Sequence, residues 1–483
     1  MITFLTAIIV LILGYFIYGR IIERVFKFDN ERKTPALSMP DGVDYIPMKG
    51  WRIFLIQFLN IAGLGPIFGA VAGAMWGPVA FLWIVLGSIF AGGVHDYFSG
   101  MLSIRNEGKG IAEITGKYLG PYLKVFMRGF TVFLMIMVGT VFVVGPANIL
   151  DELTSGWLGA NGWVWIVFVY YVLATILPVD KIIGRIYPVF GVALLFMAMG
   201  LLIPLLSGAY PIPELTMSNL LMNQHDRAGS FPVFPMLFVT IACGAISGFH
   251  ATQSPLMARC MTSERQGRSI FYGAMISEGV VALIWAAIGM TFFGGIKELN
   301  IAMNENQGNA AVIVNTISHV VLGPVGGVLA ILGVVAAPLT SGDTAFRSAR
   351  LIVSDFLKLS QAGIKNRIII SIPLFAVGYM LSLLDFGIIW RYFAWSNQTL
   401  ATIVLWTITV YLASERKPYW FVLLPAVFMT EVVTSYILLA PEGLSLPMDI
   451  SFIISFIITL LVLAAAMMKI AKLNRFSAQL EGQ

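Results

Sequence analysis

ACGAISGFHATQSP, residues Ala242 to Pro255, interrupts an apolar run from 232 to 261 that is long enough to cross a bilayer as a helix. Gly244, Ser247, Gly248, His250, Thr252, Gln253, Ser254 and Pro255 crowd the middle of that run. Glycines loosen a helix, and proline removes a backbone donor. Unpaired backbone groups at membrane depth are tolerated only inside protein or beside a watery cavity. A helix broken at the midplane is where secondary transporters bind solute and coupling ion. The competing reading is a kink that serves packing alone.

The rest of the chain fits a membrane setting. Of its 483 residues, 58% are hydrophobic and 11% are charged, against roughly a quarter charged in soluble proteins. Apolar runs recur throughout and leave no room for a large soluble domain. The first run, Ile2 to Gly19, has no basic leader and is followed by Arg20, Glu23 and Arg24. It is read as a retained span. The two cysteines, Cys243 and Cys260, form neither a disulfide framework nor a metal-type spacing. The net charge of +5 comes from loop lysines and arginines and marks orientation, with no nucleic-acid partner implied.

Thirteen spans are expected: 2–19, 52–74, 77–103, 122–147, 162–178, 185–207, 232–261, 271–293, 322–357, 367–385, 393–413, 418–440 and 449–470. Residues 309–321 read as a short helix that does not cross. With the N-terminus outside, all but four of the 30 basic residues fall on or between cytoplasmic ends, Lys181 and Arg185 among them. Arg227, Lys297 and Arg391 fall outside, and Arg128 sits near an inside end. The C-terminus is then cytoplasmic.

A second interruption, Ile61-Ala62-Gly63-Leu64-Gly65-Pro66, lies in span 52–74. The span with the other break is the sixth counted from it and runs the opposite way. Two five-helix units, each opening with a broken helix, describe an inverted repeat. The expected division is an extra helix and cytoplasmic loop (1–50), a first repeat (51–208), an external loop (209–231), a second repeat (232–414), and two further helices with a tail (415–483). Gly63–Pro66 and Gly244–Gly248 are expected to be non-helical and to face each other.

Six stretches resemble the carbon starvation protein A (CstA) family of bacterial peptide and pyruvate transporters. They are DGVDYIP (Asp41–Pro47), IAGLGPI (Ile61–Ile67), AGGVHDYFS (Ala91–Ser99), Val239–His250, APLTSGDTAFRSAR (Ala337–Arg350) and FAWSNQTLA (Phe393–Ala401). They lie in order over nearly the whole chain. Larger family members carry extra C-terminal spans. The family's histidine pair before IAG is here Ile56 and Gln57. The resemblance implies a LeuT-like fold in the amino acid–polyamine–organocation superfamily. It also implies import of peptide or pyruvate during carbon starvation. In LeuT-like sodium symporters a Thr/Ser pair on the eighth core helix holds Na+ with carbonyls at the first break. Thr340 and Ser341, with carbonyls near Ala62 and Gly63, fit that pattern. The other reading of the pair is ordinary interhelical hydrogen bonding.

Intramembrane carboxylates are costly and usually face the bundle interior. Asp96, Glu278 and Asp343 are the candidate proton carriers, so either Na+ or H+ serves as coupling ion. Each carboxylate also has a structural reading, and Asp343 has a partner in Arg347 at i,i+4. Asp385 and Glu431 lie near span ends and are expected to be wet. His95 and His250 are the intraspan histidines, and no zinc-type cluster surrounds them. Trp76, Trp83, Trp163 and Trp165 read as interface or packing residues.

The substrate is expected between the breaks, on the backbone of Gly63, Leu64 and Gly65 and of Gly244 to Gly248, with Ser247 and His250 as side chains. Half-helix N-termini suit a carboxylate. The function read here is therefore secondary active import of a small carboxylate-bearing nutrient, with membrane lipid as solvent and no cofactor. A channel lacks an alternating site, and an enzyme would need a catalytic signature such as HExxH or a nucleophile elbow. A nutrient sensor without transport is the remaining alternative. The oligomeric state is not legible.

Overall fold

In the computed structural model the chain is all-helical among the described residues, which are 1–481 without 43, 155, 177–178, 221, 307 and 362. The side chains of 152–153, 175–189, 324–333, 336 and 476–481 also lie outside the description, including Lys181 and Arg185. Helix α1 (Ile2–Phe26) precedes a bent pair, α2 (Gly50–Ile61) and α3 (Gly65–Trp76), which turn by 53°. Then come α4 (Val79–Arg105), α5 (Pro121–Leu153), α6 (Gly159–Ile176) and α7 (Val179–Leu206). A second broken pair follows, α8 (233–240) and α9 (Gly248–Ala258). The chain ends with α10 (Glu264–Phe292), α11 (Ile296–Glu305), α12 (Ala310–Leu357), α13 (Ile364–Ser382), α14 (Phe386–Ser414), α15 (Trp420–Leu439) and α16 (Met448–Glu481).

Among the described residues seven helices are long and apolar enough to cross a membrane, or eight with the bent pair counted as one span. This makes the chain a multi-pass membrane protein. Two further expected spans appear as the shorter apolar helices Gly159–Ala174 and Phe190–Leu206 among the described residues. Helix α14 carries Asn397 and Gln398 inside the bundle, and the span 232–261 is cut by a break. Within α12, Gly323 is non-helical (φ 67°, ψ −175°) and divides a short apolar helix from the long one.

Burial sorts the helices. The apolar windows of α4, α5 and α10 are 83% buried, whereas those of α1 and α16 are 28% and 17% buried. The first set forms the interior and the second faces lipid, where Ile453, Phe456 and Leu461 are exposed. Polar loops gather on two opposite faces. On one, Arg105 and Arg32 reach Glu264, Arg268 reaches Glu23 and Lys417 donates to the Phe26 carbonyl. On the other, Thr3 and the chain's amino end meet Glu214, Asn304 meets Asp226, and Arg391 meets Glu442.

Candidate functional site

The two breaks are seated on each other. Helix α2 ends where Ala62 leaves helical geometry (φ −78°, ψ 46°), and the Gly63 N–H turns back to the Ile61 carbonyl at 2.9 Å. Leu64 then supplies the carbonyl that starts the next turn, taking the Phe68 N–H at 2.7 Å. Residues 241–247 are the second non-helical stretch. A Cβ on Gly65 would strike the Cys243 side chain, and one on Gly69 would lie 2.8 Å from the Thr240 carbonyl. A Cβ on Gly244 would lie 3.8 Å from Pro66 Cα. Gly63, Gly65, Gly244 and Gly248 are absent from the positive-φ residues, so close backbone approach, not left-handed geometry, requires them.

Three expectations are corrected here. Gly65 and Pro66 belong to a wide helical turn, Gly65–Gly69, so the first break is only 62–64. Gly248 opens α9 and does not belong to the break. His250, Thr252, Gln253, Ser254 and Pro255 are consequently helical. Pro255 lies inside α9, where it leaves the Ala251 carbonyl without the N–H of position i+4.

A break in lipid must place its backbone groups, and here side chains take them. Trp83 Nε1 donates to the Ile241 carbonyl (3.0 Å), and Ser88 Oγ donates to that of Gly244 (3.0 Å). Trp83 is thus part of the break, beyond the interface role expected for it. At the start of α9, Asn397 Oδ1 accepts the Phe249 N–H at 2.7 Å, while its Nδ2 donates to Ser247 Oγ at 2.9 Å. Cys243 Sγ also lies 3.4 Å from Ser247 Oγ. A side-chain amide from α14 therefore caps the half-helix in place of the N-cap's own hydroxyl. Gly248 lets α14 come this close, since its Cβ would fall 2.6 Å from the Ala401 nitrogen.

Next to the second break is a buried chain of four titratable groups. His95 Nδ1 is 2.7 Å from Asp96 Oδ1, and His250 Nδ1 is 2.8 Å from Asp96 Oδ2. His250 Nε2 stands 3.4 Å from Glu278 Oε2. All four side chains are fully buried. The residues come from α4, α9 and α10, so this contact joins the helices that follow each break to the second broken helix itself. Buried charges on this scale persist only when paired or when they share protons. With both imidazoles neutral the group carries two negative charges, and binding two protons neutralises it. Of the expected carriers, Asp96 and Glu278 join His250. Asp343 does not: it lies on α12 and takes the Tyr170 hydroxyl at 3.1 Å. Its expected neighbour Arg347 donates to the Ala174 carbonyl at 2.6 Å and stands 3.7 Å from Asp44.

The Thr340–Ser341 pair sits at the first break. Ser341 Oγ is 3.0 Å from the Asn60 carbonyl, 3.3 Å from that of Leu59 and 3.0 Å from that of Ala337. Thr340 Oγ1 donates to the same Ala337 carbonyl at 2.7 Å. The carbonyls of α2 that Ser341 meets are those of Leu59 and Asn60, one turn before Ala62 and Gly63, where a helix end leaves its carbonyls without intrahelical partners. The oxygens assembled are hard donors of the kind a small cation takes.

Several polar groups at the site were given no role from sequence. Asn397 is visible only as a polar residue in FAWSNQTLA. The side-chain amides of Gln57 and Asn60, on the last turns of α2, are fully buried and take no hydrogen bond from another described group. Glu431 is half-buried and ties α15 to α16, receiving the hydroxyls of Ser435 (3.3 Å) and Thr459 (2.7 Å) and that of Ser455.

Comparison with known proteins bears on this arrangement. An "Uncharacterized membrane protein" of Haemophilus influenzae is 46% identical over 351 residues, 63% of this chain and 94% of that one. The "Peptide transporter CstA" of Bacillus subtilis is 26% identical over a 582-residue alignment covering 96% of each. The protein of the same name from Helicobacter pylori is 28% identical over 347 residues, 56% of this chain and 48% of its own. A crystal structure of a manganese transporter mutant from Eremococcus coleocola superposes with a TM-score of 0.50 at 14% identity, covering 91% of this chain and 99% of that one. At that identity the likeness concerns the fold alone. Residues 1–160, 155–325 and 307–436 match the family described as "Carbon starvation protein CstA", and the chain belongs to that family.

Proposed function

We propose that this chain is a secondary active transporter that imports a small carboxylate-bearing nutrient, a short peptide or pyruvate, by alternating access and in symport with protons. The observation that carries the proposal is His250, bonded to Asp96 at 2.8 Å and standing 3.4 Å from the Glu278 carboxylate in a fully buried site beside a helix break. Such a chain can take up and release a proton only if one side of the membrane at a time reaches it, which is what alternating access provides. The relatives named as peptide transporters support the solute class. The framework is a LeuT-like pair of inverted five-helix repeats, 51–208 and 232–414. It lies in the bacterial inner membrane with the N-terminus outside and the C-terminus cytoplasmic.

The solute lies against the paired breaks, on the backbone of Gly63–Gly65 and Gly244–Gly248. Since Asn397 holds the Phe249 N–H and Ser247, a carboxylate reaching α9 competes with that amide. The exposed amides of such a solute find partners of their own kind in Gln57 and Asn60, buried on α2.

Sodium coupling is the second reading, favoured by Ser341 standing on the Leu59 and Asn60 carbonyls. The two readings separate in proteoliposomes. Proton symport requires that Asp96→Asn and Glu278→Gln abolish uptake driven by an imposed pH gradient while peptide exchange at equal pH persists. Sodium symport requires that Ser341→Ala abolish sodium-driven uptake. Uptake that follows the pH gradient undiminished in Asp96→Asn overturns the proton reading.

A further inference from the structure

A cavity of about 240 Å³ opens on the face that carries 223–231, away from the side where most basic residues gather. It is walled by the outer halves of both broken helices, from Trp76 at the outer end of α3 down to Phe68 and Thr240 beside the two breaks. Its wall is the first turn of α14, with Trp390 and Arg391, and its roof carries Arg227 and Phe231. A solute moving from that face to the paired breaks passes through it.

Charge placement here is not a consequence of membrane orientation. The chain concentrates its basic residues on the other face, and only Arg227, Lys297 and Arg391 were assigned to this one. Two of those three line this single cavity. Arg227 is held in place by an aromatic stack. Its guanidinium lies 4.7 Å over the Phe231 ring, Phe231 stacks on His225 at 5.0 Å and 4°, and His225 packs on Trp76 at 4.6 Å. Stacking occupies the face of a guanidinium and leaves its N–H edge for a planar carboxylate. Arg391 Nε stands 3.3 Å from Glu442 Oε2 across the rim, so its head is oriented too. Asp385, on the same lining, caps α14 by accepting the Ile388 N–H at 3.1 Å and adds a negative group to the rim. Arg227 on one element and the neighbouring Arg391 and Asp385 at the start of α14 rim an aromatic-walled space, which suits a zwitterion with a short apolar body. At roughly 30 Å³ per water the space equals about eight waters, the scale of a dipeptide of small residues.

We propose that this cavity is an outer docking site in which Arg227 and Arg391 take the carboxylate of the incoming solute before it reaches the breaks. The inference rests on the transport reading above and adds a second, outer site to it. The solute's carboxylate is the recognised group, whether it belongs to a peptide or to a 2-oxo acid. Asp385 and the aromatic walls favour the peptide.

Binding to the purified full chain tests this, with Trp76 and Trp390 as fluorescent reporters in the cavity. The probes are alanylalanine, its C-terminal amide, and pyruvate. Wild type is expected to bind alanylalanine at least tenfold more tightly than the amide. The Arg227→Gln/Arg391→Gln pair is expected to lose that preference and to raise the KM of uptake at least tenfold. The Arg227→Lys/Arg391→Lys pair, which keeps both charges, is expected to recover part of both and so excludes a folding defect. Competition by pyruvate in wild type identifies a bare carboxylate as sufficient, and its failure identifies the peptide. A glutamine pair that keeps the tenfold preference and the wild-type KM overturns the docking site and leaves transport standing. A wild-type protein that neither binds nor moves any of the three probes overturns both.

Discussion

His250 stands where three helices meet, and its partners define what each substitution tests. Asn at 96 keeps the shape of Asp96 and one acceptor oxygen, removes its charge and proton, and turns the other oxygen into a donor, which one imidazole meets by presenting an unprotonated Nδ1. If the buried chain carries protons, Asp96→Asn should lower pH-driven uptake at least a hundredfold and leave exchange within a few-fold. Alanine at the same place would instead leave His95 and His250 without their acceptor, and breaking a buried pair costs about 3–5 kcal/mol. The conservative variant therefore separates coupling from folding. His225 is a different case, outside the membrane-spanning segments. Burial pushes it down to about 4, with Asp226 opposing and Arg227 assisting. Its Nδ1 lies 3.1 Å from the Arg227 backbone N–H, which the neutral ring accepts, and 2.9 Å from Asp226 Oδ1, which the charged ring would meet. Between its ordinary value of 6.5 and about 4 the unfolded chain binds a proton that the folded one refuses. Stability from this group is thus present above pH 6.5 and is lost as pH falls toward 4. The melting temperature in detergent should fall across that window, and more steeply in wild type than in His225→Phe. Equal slopes would show that His225 is protonated in the fold.

At the scale of elements, the breaks were legible because glycine and proline are poor choices for a lipid-facing helix. Their limits were not legible. Gly65 and Pro66 resume a helix after Leu64, and Gly248 begins one, because the hydrogen bonds that decide these edges come from distant residues. Trp83, Ser88, Asn397 and Ser341 each take or supply a bond at a break from another helix, and no local pattern announces that. The Asn397 cap gives a direct check. Asn397→Ala should lower stability by about 1 kcal/mol, as lost caps do, while Ser247→Ala, which leaves the amide oxygen on the Phe249 N–H, should lose less. Equal losses would mean that Ser247, not the N–H, is the group that matters. Gly248→Ala should cost about 1–3 kcal/mol by overpacking against α14. A melting curve matching wild type would show that the helices separate without strain.

Across the whole molecule, composition and the recurrence of apolar runs gave a multi-pass helical protein, and the two breaks gave the place where its interior is polar. The pairing of Asp96 with His250 and Glu278 was beyond sequence, since 154 positions separate Asp96 from His250 and only the seating of one break on the other brings them together. The span count illustrates the same limit from the other side. Helices α4, α5 and α10 pass as apolar spans with 83% of their windows buried, as α1 and α16 do with 28% and 17%, so an apolar run marks a span without saying whether lipid or protein covers it. The transporter reading makes the interior the place where proton and solute meet. Its most direct test is electrical. Wild-type protein is reconstituted on a solid-supported membrane in sodium-free buffer and exposed to a jump in alanylalanine, which is neutral overall near pH 7. Proton symport is expected to give a transient current carrying positive charge in the direction of the peptide, abolished in Asp96→Asn. A current that appears only when sodium is added, or that is unchanged in Asp96→Asn, would contradict it.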